Sequence, residues 1–129
     1  MIFFNQISKR KQKLRLNLKD KLSRMRESDI AVSNSIINDK LIKSLNKRTS
    51  ILCYYPLLSE PDIKPSIEQW LEKNYTISLP RIEDGNFHCY KLNNLSKDNL
   101  IKSTFGVWEP NANSCELISS DSMDTILVP

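Results

Sequence analysis

Glycine is nearly missing from this chain: 129 residues include two, Gly85 and Gly106. That scarcity excludes G-x-G-x-x-G and G-x-x-x-x-G-K-[ST], so neither a dinucleotide fingerprint nor a P-loop is written here. Histidine occurs once, at His88, and the carboxylates are dispersed, which leaves no nucleophile-base-acid triad and no clustered metal ligands. Cys53, Cys89 and Cys115 are odd in number, far apart and without a C-x-x-C pair. They suggest neither a disulfide framework nor a zinc site, and they fit a reducing compartment. A long apolar run is also lacking. The opening MIFF is too short for a secretory segment and has no basic residue ahead of it, so a cytoplasmic chain without signal peptide or membrane span is expected.

What is present is ordinary for a globular protein, with 40% apolar and 26% charged residues in 15.0 kDa. One domain can bury roughly two thirds of its unfolded surface at this length. The net charge of +4 hides an asymmetry: residues 1–48 carry 13 Lys and Arg against 4 Asp and Glu, and the rest carry 6 against 11. A basic amino-terminal segment attracts phosphate, whether on a nucleotide, a nucleic acid or an anionic membrane.

From Ile7 to Met25, Ile7, Leu14, Leu18, Leu22 and Met25 recur at helical spacing, with Lys and Arg on the other faces. Ser28 suits the cap of a second helix whose stripe is Val32, Ile36, Ile37, Leu41 and Leu45, so both helices are expected to cover a common core. Ile51 to Tyr55 reads as an interior strand ended by Pro56. Pro65 suits a first helical turn, Ile67, Trp70 and Leu71 its buried side, and Asn74 its end; Tyr75 to Leu79 resumes a strand that Pro80 stops. Strand, helix and strand form a βαβ unit, right-handed and parallel, which brings Tyr55 and Pro80 to one rim. Asp84-Gly85-Asn86 is a turn before a half-exposed strand Phe87 to Leu92, and Ser96 to Leu100 reads as one helical turn. Thr104 to Ser122 reads as loop. The closing MDTILVP, Met123 to Pro129, reads as a buried strand with nothing after it. The expected fold is a three-layer α/β domain with an open sheet, whose ligand sits beyond the carboxyl ends of the strands.

Five segments stand out in order: Lys11-Gln12-Lys13-Leu14-Arg15; Tyr54-Tyr55-Pro56 followed by Glu60; Leu79-Pro80-Arg81; Phe105-Gly106-Val107-Trp108-Glu109-Pro110; and Asp124-Thr125-Ile126-Leu127-Val128-Pro129. In that order and spacing the sequence resembles 5-formyltetrahydrofolate cyclo-ligase, also called 5,10-methenyltetrahydrofolate synthetase. The resemblance implies a Rossmann-like sheet of the NagB/RpiA/CoA-transferase kind with a parallel βαβ core. It implies ATP-dependent closure of 5-formyltetrahydrofolate to 5,10-methenyltetrahydrofolate, with Mg2+ and release of ADP and phosphate. In the family the strand matching ILVP leads into a glycine-rich loop ending Tyr-Tyr-Asp that contributes to binding ATP and magnesium. No such loop follows here, so the resemblance implies a C-terminally truncated member, one incomplete domain over residues 1–129.

By the same resemblance, Lys11 and Arg15, four apart on one helical face, fall to the ATP phosphates. Glu60 falls to the donor edge of the pterin, and Tyr55 to a wall of the folate pocket. Phe105 and Trp108 flank a glycine in a loop assigned to the same pocket, and Arg81 could reach an anion at that rim. Read without the resemblance, Lys11 and Arg15 are a solvated basic face, Glu60 and Arg81 surface charges, and Tyr55, Phe105 and Trp108 core or core cover. His88 has no partner as a base, and no catalytic residue or protein metal ligand emerges. Small-molecule substrates are expected as partners, without nucleic acid or membrane, together with a separate C-terminal fragment as one route to a complete site. Two other functions compete: an inactive or split cyclo-ligase fragment, and a small basic nucleic-acid-binding protein using the first helix.

Overall fold

The computed structural model describes residues 2–129. They divide into two compact units, one ending at Ser33 and one of Asn34–Pro129.

The first unit consists of helix α1, Ile2–Ser23, and the first turns of helix α2, Glu27–Ser44. The α1 helix begins before Ile7 because Ile2, Phe3 and Phe4 extend the helical run without a breaker. It has no buried residue, and its expected covering stripe, Ile7, Leu14, Leu18 and Leu22, is exposed. Ser28 lies inside α2 rather than at its cap; the first turn there carries Glu27 and Asp29, the charges that favour a helix amino terminus.

The second unit is built on a five-stranded sheet in the order β6-β3-β2-β1-β7. Its strands are β1 Ser50–Leu52, β2 Thr76–Glu83, β3 Asn86–Leu92, β6 Glu116–Ile118 and β7 Thr125–Ile126; β4 Leu100–Lys102 and β5 Trp108–Pro110 form a separate ribbon. As expected, β1 is interior and parallel to β2, with helix α3, Lys64–Glu72, as the crossover. Pro65 lies in the first turn of α3, and Asn74, at φ 60, ends it: Tyr75 N–H donates to Trp70 O at 2.9 Å and Asn74 N–H to Leu71 O at 3.0 Å, a Schellman closure. Asp84 and Gly85 both take positive φ, as a two-residue type I′ turn between β2 and β3 requires.

One face of the sheet carries the core. Ile51, Ile77 and Leu92 occupy one register row. Ile67 and Trp70 of α3 are buried with them, and Ile37, Leu41, Ile42 and Leu45 of α2 pack against this cluster. Full burial of a side chain of this size stabilises by about 1.5–3 kcal/mol. Asn38 ties α2 to the rest: its Nδ2 donates to Asn34 O at 2.8 Å and Asp62 O at 2.7 Å, while its Oδ1 accepts from Ser66 N–H and the Ser66 hydroxyl.

Four expectations are corrected. Pro80 lies within β2 instead of stopping it. Cys53 N–H donates to Ser78 O, so alternation turns the Pro80 nitrogen toward the β1 side, beyond the Leu52–Ser78 pair where β1 pairing ends. Ser96 to Leu100 is a turn running into β4, because the Asn94 side chain accepts from Ser96 N–H and Asn99 O from Asn111 N–H. Thr104 to Ser122 contains β5 and β6, each three residues long and specified by pairing with β4 and β3 rather than by any periodicity of its own. Finally, β7 is an edge strand. Leu127 packs on the core, but alternation turns Ile126 and Val128 outward, 62% and 83% exposed. Among the described residues no helix is long and apolar enough to cross a membrane.

Candidate functional site

Parallel β1 and β2 deliver their carboxyl ends to one edge of the sheet, and the chain leaving β1 turns there through Tyr54 and Tyr55. The β4–β5 ribbon stands against the same end of β2. Arg81, just past Pro80, fastens it: Nη1 donates to Pro110 O at 2.9 Å. Between these parts opens a cleft of about 880 Å3 with Leu79 and Pro80 among its lining residues. That volume suits a drug-sized heterocyclic ligand.

Tyr55, Glu60, Arg81, Phe105 and Trp108 all line this cleft. Tyr55 and Trp108 face each other with ring centroids 6.3 Å apart and planes tilted by 56°, an edge-on aromatic pair. The Lys64 ammonium stands 5.8 Å from the Tyr55 ring centroid and 3.7 Å from Asp62 Oδ2, so its charge is already answered. Glu60 is half-buried in a tight turn, where its Oε2 accepts from Leu57 N–H at 2.9 Å and its own N–H donates to Leu57 O at 3.0 Å. One carboxylate oxygen is thereby held while the other remains for a ligand donor.

Phe105 occupies the tip of the β4–β5 turn and is 93% exposed. Gly106 at φ +78, Gly106 N–H to Ser103 O at 3.0 Å and Ser103 N–H to Val107 O at 2.8 Å close a type I turn with a bulge, a geometry that requires glycine in the left-handed region. Arg81 is tied down more than a free anion-binding arginine would be. Besides Pro110, its Nε lies 2.7 Å from Glu83 Oε1 without its N–H being aimed at that oxygen. Glu83 in turn accepts from the Tyr90 hydroxyl at 3.2 Å. Burial, then this carboxylate, pushes the Tyr90 hydroxyl above its ordinary pKa.

Tyr54, not singled out from sequence, also lines the cleft. Burial first and Glu60 second raise its pKa to about 12, and its hydroxyl donates to Pro61 O at 3.1 Å, so it stays protonated at neutral pH. Cys53, beneath it, is pushed to about 12 by burial and offers no thiolate. Lys102 lines the cleft as well; the only signal for it is its pairing opposite Trp108, which cannot be read without knowing that β4 and β5 pair. His88 lines a smaller hollow of about 390 Å3 with Phe87, Cys89 and Leu117, with no acid or second base in its lining. Among the described residues no three His, Cys, Asp or Glu side chains gather where a metal could be held.

Lys11 and Arg15 belong to α1, in the first unit. Both are exposed; at ~100° per residue, Lys11 falls inside the arc of Ile7, Leu14, Leu18 and Leu22, itself exposed, and Arg15 at its margin.

The 5-formyltetrahydrofolate cyclo-ligase family profile matches residues 7–129. Among solved structures, the NMR structure of Aquifex aeolicus 5,10-methenyltetrahydrofolate synthetase superposes with a TM-score of 0.77 at 24% identity, over 92% of this chain and 60% of that one. The chain thus spans about three fifths of the length of that solved relative. A comparison with curated proteins finds no match.

Proposed function

The chain belongs to the 5-formyltetrahydrofolate cyclo-ligase family, and from that premise we propose that it binds 5-formyltetrahydrofolate in the cleft and serves its ATP-dependent conversion to 5,10-methenyltetrahydrofolate. The observation carrying this reading is that Tyr55, Glu60, Arg81, Phe105 and Trp108, separate in sequence, line one cavity at the carboxyl edge of the parallel strands.

In this reading the pterin lies against Tyr55 and Trp108, and the free oxygen of Glu60 accepts from its donor edge. Phe105 covers the ligand from the turn. Arg81 holds the ribbon that carries Trp108. Lys11 and Arg15 neutralise the ATP phosphates. The formyl oxygen attacks the γ-phosphorus and ADP leaves; the second folate nitrogen then bonds to the formyl carbon, and phosphate departs with that oxygen while the nitrogen releases its proton. The protein's contribution is positioning and charge. Among the described residues no three His, Cys, Asp or Glu side chains gather, so magnesium would enter this site with the ATP phosphates as its main ligands and would offset their charge.

The test is the absorbance of methenyltetrahydrofolate formed with ATP and Mg2+, alongside quenching of tryptophan fluorescence by 5-formyltetrahydrofolate. Turnover dependent on ATP is expected. Saturable binding without turnover would support the second reading, favoured by the match to three fifths of the solved relative, in which catalysis needs a further polypeptide segment. Absence of both binding and turnover refutes the proposal.

A further inference from the structure

We infer that Lys102 is a specificity-determining residue that receives a carboxylate at the far end of the ligand. The inference rests on the folate reading above and names the part of the substrate that reading leaves unassigned. A folate carries a flat ring at one end and, beyond its aminobenzoyl group, a glutamate with free carboxylates at the other. A cleft that stacks the ring needs a cation near its mouth if it is to distinguish this ligand from one without the acidic tail.

Lys102 meets that need by register. It is the Cα partner of Trp108 in the antiparallel β4–β5 ladder, so the two side chains stand on the same face of the ribbon, about 5 Å apart at Cβ. Trp108 is the residue that pairs with Tyr55. Lys102 is exposed, lines the cleft, and has no carboxylate within 4.0 Å among the described residues. The other cations near the cleft are committed, and its two acids, Glu60 and Glu109, cannot receive a carboxylate. Arg81 is bound to Pro110 O and Glu83, and Lys64 is paired with Asp62. Glu109, which also lines the cleft, pairs across with Ile101 and so stands on the opposite face of the ribbon from Lys102. The lysine stem passes beside Gly106, where a Cβ would stand 3.9 Å from Lys102 Cε, an ordinary contact.

The experiment compares dissociation constants, read from tryptophan fluorescence, for 5-formyltetrahydrofolate and 5-formyltetrahydropteroate, which lacks the glutamate. Wild type should favour the glutamate-bearing ligand. Lys102→Met should weaken 5-formyltetrahydrofolate roughly three- to tenfold, leave the pteroate unchanged, and remove most of the salt dependence of the preference. Lys102→Arg should retain the preference. If wild type binds 5-formyltetrahydrofolate and Lys102→Met binds both ligands as wild type does, the inference is wrong and the folate reading stands. If wild type binds neither ligand, the folate reading fails and carries this inference with it.

Discussion

Asn38 is the residue whose replacement should test the second unit most sharply. Its amide is 9% exposed and uses its full capacity, two donated hydrogen bonds to Asn34 O and Asp62 O and two accepted from Ser66. Asn38→Leu deletes all four and leaves Ser66 N–H, 0% exposed with its residue, without its partner. Each buried group so orphaned costs about 1–3 kcal/mol, and water can reach some of them, so the total loss should be about 3 kcal/mol. Asn38→Asp isolates the cause. Its carboxylate keeps the two acceptor contacts to Ser66 but turns an oxygen on two carbonyl oxygens. The folded state then favours the protonated acid, raising its pKa above the unfolded value of about 3.9. Because the pKa is raised, the deficit against wild type is smallest below that value and grows as pH rises toward the folded-state pKa. Urea midpoints measured from pH 4 to pH 7, at constant m, should show Asn38→Asp diverging from wild type and Asn38→Leu running parallel to it. A flat difference for Asn38→Asp, or a loss below 0.5 kcal/mol for Asn38→Leu, would refute this account of the hub.

Trp108→Ala removes one half of the aromatic pair and should raise the dissociation constant for 5-formyltetrahydrofolate by roughly tenfold, about 1.4 kcal/mol, by isothermal titration. Gly106→Ala and Gly85→Ala both force alanine to positive φ with no close contact, so each should cost about 1–2 kcal/mol in thermal or urea unfolding, but Gly106→Ala alone should also weaken the ligand by displacing Phe105. Asp124 accepts from Thr125, Thr49 and Ser50, and these bonds outweigh the opposing effect of burial to hold its carboxyl below the usual range. A lowered pKa means the contribution is present above the unfolded value and is lost as pH falls through the folded one. Amide exchange at Leu127, whose N–H donates to Leu52 O, should therefore quicken on acidification below pH 4, and Asp124→Asn should remove that dependence.

What could be read from the residues was whatever rests on local chemistry with a long enough run. The β1-α3-β2 unit is legible because Pro65, Asn74 and the apolar spacing of Ile67 and Trp70 each specify one step of it. The type I′ turn at Asp84-Gly85 is legible for the same reason. Pro80 misleads because its meaning depends on which side of β2 its nitrogen faces, a property of sheet order. The three-residue strands β4, β5 and β6 are too short to show a period, so the ribbon that raises Trp108 and Phe105 was hidden. With it was hidden Lys102, which has meaning only as the neighbour of Trp108.

The five residues that the family resemblance singled out line one cleft, and the topology explains how they come together. Tyr55 follows β1, and Arg81 lies in β2 beyond the stretch that pairs with β1; one crossover joins these parallel strands, so a sequence that encodes that crossover brings the two residues to one rim. Glu60 comes next in the chain after Tyr55 and is held by its own turn, which needs no distant partner. Only Phe105 and Trp108 arrive by a second route, the β4–β5 ribbon, and that ribbon is bolted to the first by the hydrogen bond from Arg81 to Pro110. Arg81 is therefore better understood as the joint between the two routes than as a free cation for a ligand. Arg81→Met should then loosen the ribbon, weakening 5-formyltetrahydrofolate and 5-formyltetrahydropteroate alike, whereas an arginine that gripped the substrate's acidic end would spare the pteroate.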